Sequence, residues 1–148
     1  VSEKKIYIIS GFKSAFIDRT WTSPLLNISN EFVIYNLPYL SGKSNKSMKY
    51  FKHNTSLDNK FLINLKKVFY LLKEETANTN LIVGVYEIPH GLIALFIGKI
   101  KGIPSCINCI GNPAYSKIRR GFRKRVTVSL LRNIDYVLSN LDDYKRHR

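Results

Sequence analysis

Acidic side chains are scarce in this 148-residue chain: 10 Asp and Glu stand against 24 Lys and Arg, a formal net charge of +14. The deficit is local. From Ile88 to Ile134 there is no acid at all, against nine Lys or Arg. Evenly solubilising charge would mix signs, so the imbalance implies an anionic partner: nucleic acid, an acidic membrane surface or a phosphorylated substrate. Long apolar runs are missing too, and none approaches the roughly 18 residues a membrane span needs. Only two cysteines occur, Cys106 and Cys109. Their CxxC spacing falls inside an expected strand, where positions three apart face opposite sides, and no second CxxC or His pair completes a zinc site. They read as buried structural thiols, and neither metal nor bound cofactor is expected. No Walker A loop, G-x-G-x-x-G turn or Ser-His-Asp spacing is present. The opening Val1 to Lys5 and the short apolar run after it are too short for a signal peptide. The expected location is therefore cytoplasmic, with peripheral attachment at the inner face of a membrane.

What is present centres on residues 80 to 112. Asn80 to Tyr86 is an apolar run without alternation, the pattern of a strand covered on both faces. Glu87-Ile-Pro-His-Gly91 interrupts it as a short loop. Leu92, Phe96 and Ile100 then recur every four residues along a helix that ends at Lys101-Gly102. Past Pro104, Ser105 to Ile110 forms a second strand leading into Gly111-Asn112-Pro113. Strand, loop, helix, turn and strand make a βαβ unit, which requires a parallel sheet and a right-handed crossover.

Further strands are expected at Lys5 to Ser10, Glu31 to Asn36 and Asp135 to Ser139. A short helix is expected within 13–30, and an irregular basic loop over 37–57. From Asp58 onward, Phe61, Leu62, Leu65, Val68, Phe69 and Leu72 form a stripe at helical spacing, expected to pack on a sheet face. A last helix is expected from Ala114 to about Asn133, with Ile118, Phe122, Val126, Leu130 and Ile134 facing the core. This order predicts one domain over 1–148, a three-layer α/β/α, Rossmann-like, doubly wound parallel sheet.

Ligands of such sheets bind beyond the carboxyl ends of the strands. That rule selects Gly11 and Phe12 after the first strand, Glu87 and His90 after the central one, and Gly111 and Asn112 after the next. A carboxylate ending an apolar strand should face solvent or a polar ligand, and a His in the same loop could bind substrate or act as a base. Glu87 and His90 are therefore the catalytic candidates. One glycine after a strand and a lone loop histidine are also common without any ligand. Lys117, Arg119, Arg120, Arg123 and Lys124 lie between apolar helix positions and would contact an anionic surface.

Leu81-Ile-Val-Gly-Val-Tyr-Glu-Ile-Pro-His-Gly-Leu-Ile-Ala-Leu95, followed by Gly98-Lys-Ile-Lys-Gly-Ile-Pro104, resembles the N-terminal domain of group 1 (family 4) GT-B glycosyltransferases. The strand, the polar loop and the A-x-x-x-G-K-x-x-G-x-P ending carry the resemblance. Lys5 to Gly11 and Leu131 to Ser139 resemble that domain's first and last strands. The resemblance implies one half of a GT-B fold, transferring a sugar from a nucleotide-sugar donor to a glycan or lipid-linked acceptor. It implies acceptor binding on this half, with Gly11 and Phe12 near the donor phosphates and Glu87 to His90 with Asn112 at the cleft. The donor-binding half with its Glu-x7-Glu pattern is absent from these residues. Many family members carry a His where this chain has Cys109, Ile110 and Gly111. The rival readings are a nucleic-acid-binding α/β domain using the basic face over 117–125, and a non-catalytic Rossmann-like interaction module.

Overall fold

The structure, a computed structural model, describes residues 5–11, 31–35, 48–50, 59–73, 78–109 and 121–138. Six parallel strands form one sheet: β1 (Lys5–Ile9), β2 (Glu31–Tyr35), β3 (Met48–Tyr50), β4 (Thr79–Val85), β5 (Ser105–Asn108) and β6 (Tyr136–Leu138). Their spatial order is β3-β2-β1-β4-β5-β6. The chain builds outward from β1 to one edge, crosses back, and builds outward from β4 to the other. This is the doubly wound order, and its winding reverses between β1 and β4. The expected α/β Rossmann-like class is what the structure has. β3 was not expected, since Met48-Lys-Tyr50 is three residues inside a polar segment. The expected short helix within 13–30 lies outside the described residues.

Three described helices follow the crossover: α1 (Lys60–Lys73), α2 (Leu92–Lys101) and α3 (Phe122–Asn133). All pack on one face of the sheet. Tyr7, Ile9 and Ile82 share a buried cluster with Leu71 and half-buried Val68 of α1 and with Ile93, Ala94 and Ile97 of α2. Ile107 shares a second with Leu92, Leu95 and, from α3, Leu130. Right-handed crossovers require this, because β3 to β6 advance in a single direction. Ile6, Ile8, Val83 and Cys106, which alternate with these residues, are buried as well. Both faces of the central strands are therefore covered, and each fully buried isoleucine contributes about 1.5–3 kcal/mol. Leu81, near the start of β4, is only half-buried, whereas Ile107 is fully buried.

The buried rows of the helices differ from the stripes that the sequence marks. In α1 the buried row is Ile63, Lys67 and Leu71, four apart; of the expected stripe only Val68 packs on the core, and Phe61, Leu62, Leu65, Phe69 and Leu72 are exposed. Phe61 and Phe69 are 71% and 59% exposed. Periodicity locates a helix but cannot say which of two apolar arcs meets the sheet, and here a lysine anchors the inner one. The expected helix from Ala114 begins at Phe122, after Gly121 at φ 64°. Starting there, it buries Thr127 and Leu130, with Ile134 just beyond its end, and leaves Phe122 in solvent. In α2 the inward residues are Ile93, Ala94 and Ile97, one position away from the 92/96/100 row, and Phe96 and Ile100 are exposed.

Ends are closed by specific groups. Gly102 ends α2 at φ 66°, a left-handed conformation that an L side chain would strain. The Asp135 carboxylate, after α3, accepts from the Ser105 backbone N–H at 2.8 Å and the Ser105 hydroxyl at 2.7 Å, tying β6 to the start of β5. Those bonds, the backbone one foremost, hold its carboxyl below the usual carboxylate range. At the opposite edge, an added Cβ on Gly84 would lie 2.6 Å from the backbone of Gly91. Main chain meets main chain there, so neither side can yield by turning a side chain. Gly84→Ala should lower the urea unfolding free energy by about 1–3 kcal/mol, the usual cost of overpacking. An unchanged midpoint would mean that the 87–91 turn does not rest on β4.

Candidate functional site

β4 ends in a change of backbone hand. Tyr86 takes φ 69°, ψ 156°, a region that essentially only glycine occupies at ease. Glu87–Gly91 then forms an irregular turn, extended at Ile88 (φ −128°, ψ 124°) and closed by the Gly91 N–H donating to the Tyr86 carbonyl at 2.9 Å; the Ile88–Pro89 peptide is cis. The Tyr86 N–H donates to the Asn108 carbonyl at 3.0 Å, so the turn is registered to the end of β5 as well as to β4.

This turn aims His90 back across the sheet. Its Nδ1 lies 2.9 Å from the Val85 carbonyl. A carbonyl can only accept, so Nδ1 carries the proton and Nε2 holds a lone pair. Nε2 is buried and meets no hydrogen-bond partner among the described residues. It lies 3.5 Å, and the ring's Cε1 3.0 Å, from where a Cβ on Gly11 would sit. Gly11 and His90, 79 positions apart in sequence, thus meet at the carboxyl ends of β1 and β4. That is the crevice where the winding reverses, and the rule for such sheets puts ligands there.

Lys67 was not anticipated. It lies wholly inside, and its ammonium donates to the Ser10 carbonyl at 2.9 Å. α1 runs antiparallel to the strands, and helical side chains lean toward the helix N-terminus. The lysine therefore reaches toward the carboxyl edge of the sheet. The signal was a row, Ile63, Lys67, Leu71, that places one cation among apolar neighbours four residues away on either side.

Burial sets the protonation of both groups. Desolvation pushes Lys67 down to about 7. His90 is pushed down to about 4, first by desolvation, then by the positive charge of Lys67, against a smaller raising effect of the Val85 hydrogen bond. The imidazole is therefore neutral through the physiological range, with its lone pair available. The same forces oppose full proton uptake, so the arrangement suits accepting a hydrogen bond more than removing a proton.

Of the two surroundings expected for Glu87, solvent or a polar ligand, solvent is not what it has: it is 1% exposed. Phe12, Gly111, Asn112, Lys117, Arg119 and Arg120 lie outside the described residues, while Arg123 and Lys124 are exposed on α3. Cys106 and Cys109 are buried free thiols. Burial pushes the Cys106 thiol up to about 11, the condition of a packing group and not of a nucleophile. Among the described residues, no helix is long and apolar enough to cross a membrane.

No protein-family model matches this chain, and no curated protein does. Among solved structures it is similar to a UDP-GlcNAc 2-epimerase from Methanocaldococcus jannaschii, with a TM-score of 0.57 and 14% sequence identity. The match covers 96% of this chain and 41% of that one, which has a GT-B-like Rossmann fold. At that identity the likeness is one of fold.

Two titrations follow. Between pH 7 and 10.5 the unfolded chain holds a proton on Lys67 that the folded chain has released, so this group makes stability rise with pH across that window. Lys67→Met lacks this dependence. It should be more stable than wild type near pH 6, by up to about 5 kcal/mol, with the gap closing by pH 10.5. A constant gap would mean the lysine is solvated. For His90 the folded value also lies below the ordinary 6.5, so stability falls as pH drops from 6.5 through 4. Nitrogen-15 NMR should show a protonated Nδ1, a bare Nε2 and no titration above pH 5; an ordinary midpoint near 6.5 would refute its burial.

Proposed function

We propose that this chain is one Rossmann-like half of a GT-B-type enzyme acting on nucleotide-linked sugars. The specific reaction proposed is glycosyl transfer, with this half holding the acceptor, either a membrane-associated lipid-linked molecule or a polysaccharide. One observation carries the reading: the unpartnered Nε2 of a neutral His90 beside Gly11, at the winding reversal of the sheet. A sugar offers what that atom lacks, a hydroxyl donor, and the missing Cβ at Gly11 leaves the imidazole its place against the backbone. Similarity to the fold of a sugar-nucleotide enzyme supports the same class. The chain spans 41% of that structure's length. Turnover is accordingly proposed to need a donor-binding half, supplied by a further domain or a second polypeptide, and this chain alone should be inactive.

In this reading His90 orients a hydroxyl, Gly11 gives the His90 ring room, and Lys67 keeps the site electropositive without touching the reacting atoms. Phe12, Gly111 and Asn112 remain proposed contacts, and Glu87 a proposed catalytic group. The nucleic-acid reading has one observation of its own: α3 exposes Arg123, Lys124 and Arg125 in its first turn, with no acid beside them.

The test is a proton–nitrogen NMR titration of the chain with N-acetylglucosamine and UDP-N-acetylglucosamine, with ATP as an anionic control. Sugar-bearing ligands should shift the amides of Gly11 and of Glu87 to Leu92. His90→Gln should weaken that binding roughly tenfold, the worth of about one hydrogen bond. Shifts confined to α3, equal for ATP and a single-stranded oligonucleotide, would overturn the sugar reading in favour of a phosphate-binding face.

A further inference from the structure

The outward arc of α1 is its more apolar one. Phe61, Leu65, Phe69 and Leu72 lie within about a quarter-turn of one another at the helix spacing of roughly 100° per residue, with Leu62 beside them, and all are exposed. The inward arc holds Ile63, Leu71 and buried Lys67. A helix normally turns its richer apolar face to the sheet. Here the order is inverted, and a contiguous apolar patch of this kind marks a contact surface. Lys66 and Lys73 border the patch and, with Leu62, Leu65, Phe69 and Tyr70, line a shallow hollow on it. No acid occurs between residues 59 and 73.

We infer that this face of α1 is an interfacial membrane-docking surface, which sets Phe61, Leu65 and Phe69 among the acyl chains of an anionic bilayer and Lys66 and Lys73 among its phosphates. Charge selects this occupant. A second copy would bring another chain of net charge +14 against a lysine-bordered face, with electrostatic repulsion opposing the contact. An anionic bilayer offers the opposite sign at the border and hydrocarbon at the centre, the two environments an interfacial helix matches. Each lysine near such a surface adds favourable attraction, and aromatic rings fill the boundary between headgroup and chain. The docking face is thus distinct from the basic helix α3, the surface that the sequence singled out for anion contact. The inference holds whether or not the crevice at Gly11 receives a sugar.

Flotation with vesicles of phosphatidylcholine alone, and of equal parts phosphatidylglycerol and phosphatidylcholine, tests it. Wild type should float with the anionic vesicles and not with the neutral ones. A variant carrying Phe61→Ser, Leu65→Ser and Phe69→Ser should lose at least tenfold in bound fraction at unchanged circular dichroism. These side chains are exposed, so the fold should persist; Lys66→Gln with Lys73→Gln gives a second, milder variant, which should bind severalfold more weakly. Arg123→Gln, Lys124→Gln and Arg125→Gln together should reduce binding less than the serine variant does. Equal flotation of wild type and serine variant, or none by wild type, overturns the inference. So does a wild-type dimer in light scattering that the serine variant abolishes, because a second copy would then be the occupant. Neither result bears on the sugar titration, so the two readings fail separately.

Discussion

An ammonium group removed from water and set on one carbonyl constrains much of this molecule. Lys67 reaches the Ser10 oxygen only if α1 turns the arc of Ile63, Lys67 and Leu71 to the sheet. Once that arc is inward, Phe61, Leu65 and Phe69 must point out, because they lie on the opposite side of the same helix. Desolvating a lysine is costly unless the charge is compensated, and here the response is partial loss of the charge itself. The cation also lies near enough to His90 to help keep its ring neutral. One side chain thus sets the electrostatics of the crevice and the character of a surface on the far side of the helix.

Strand positions were largely legible because parallel strands buried on both faces leave a continuous apolar record. Lys5 to Ile9 and Leu81 to Val85 show it plainly, and Tyr136 to Leu138 needed only its place after a helix. Met48–Tyr50 left no such record. Its pairing with β2 comes from the backbone, and nothing in three residues set between Ser47 and Phe51-Lys52 announces it. Helix faces were harder. A stripe of Phe61, Leu65 and Phe69 satisfies every sequence test for a core face, and only the tertiary partner decides otherwise. The start of the last helix was misplaced for a related reason, since the four-residue recurrence from Ile118 runs straight through Gly121, where the chain has positive φ.

In the crevice, sequence reasoning found the residues that a rule about strand ends can find. Gly11 and His90 follow apolar strands, and parallel strands carry their ends to one edge. Glu87 follows the same strand yet is buried, within a turn where Tyr86 has positive φ and Ile88 is extended. Lys67 escaped because it lies in mid-helix, far from any strand end, and joins the edge only through the length of its side chain. A rule phrased in loops does not look there.

The glycines at the turn carry a last consequence, for how this sequence can drift. At Gly91 an added methyl group would meet the Cδ1 of Ile107 at 2.6 Å, with the Cγ1 of Ile107 and the Tyr86 carbonyl oxygen each at 3.0 Å. A valine at 107 lacks the Cδ1, so alanine at 91 and valine at 107 form a pair in which the shortest contact is relieved. Gly84 has no such partner, because what it meets is main chain. Among descendants of this sequence, position 91 should therefore covary with 107, while position 84 stays glycine in every lineage that keeps the turn.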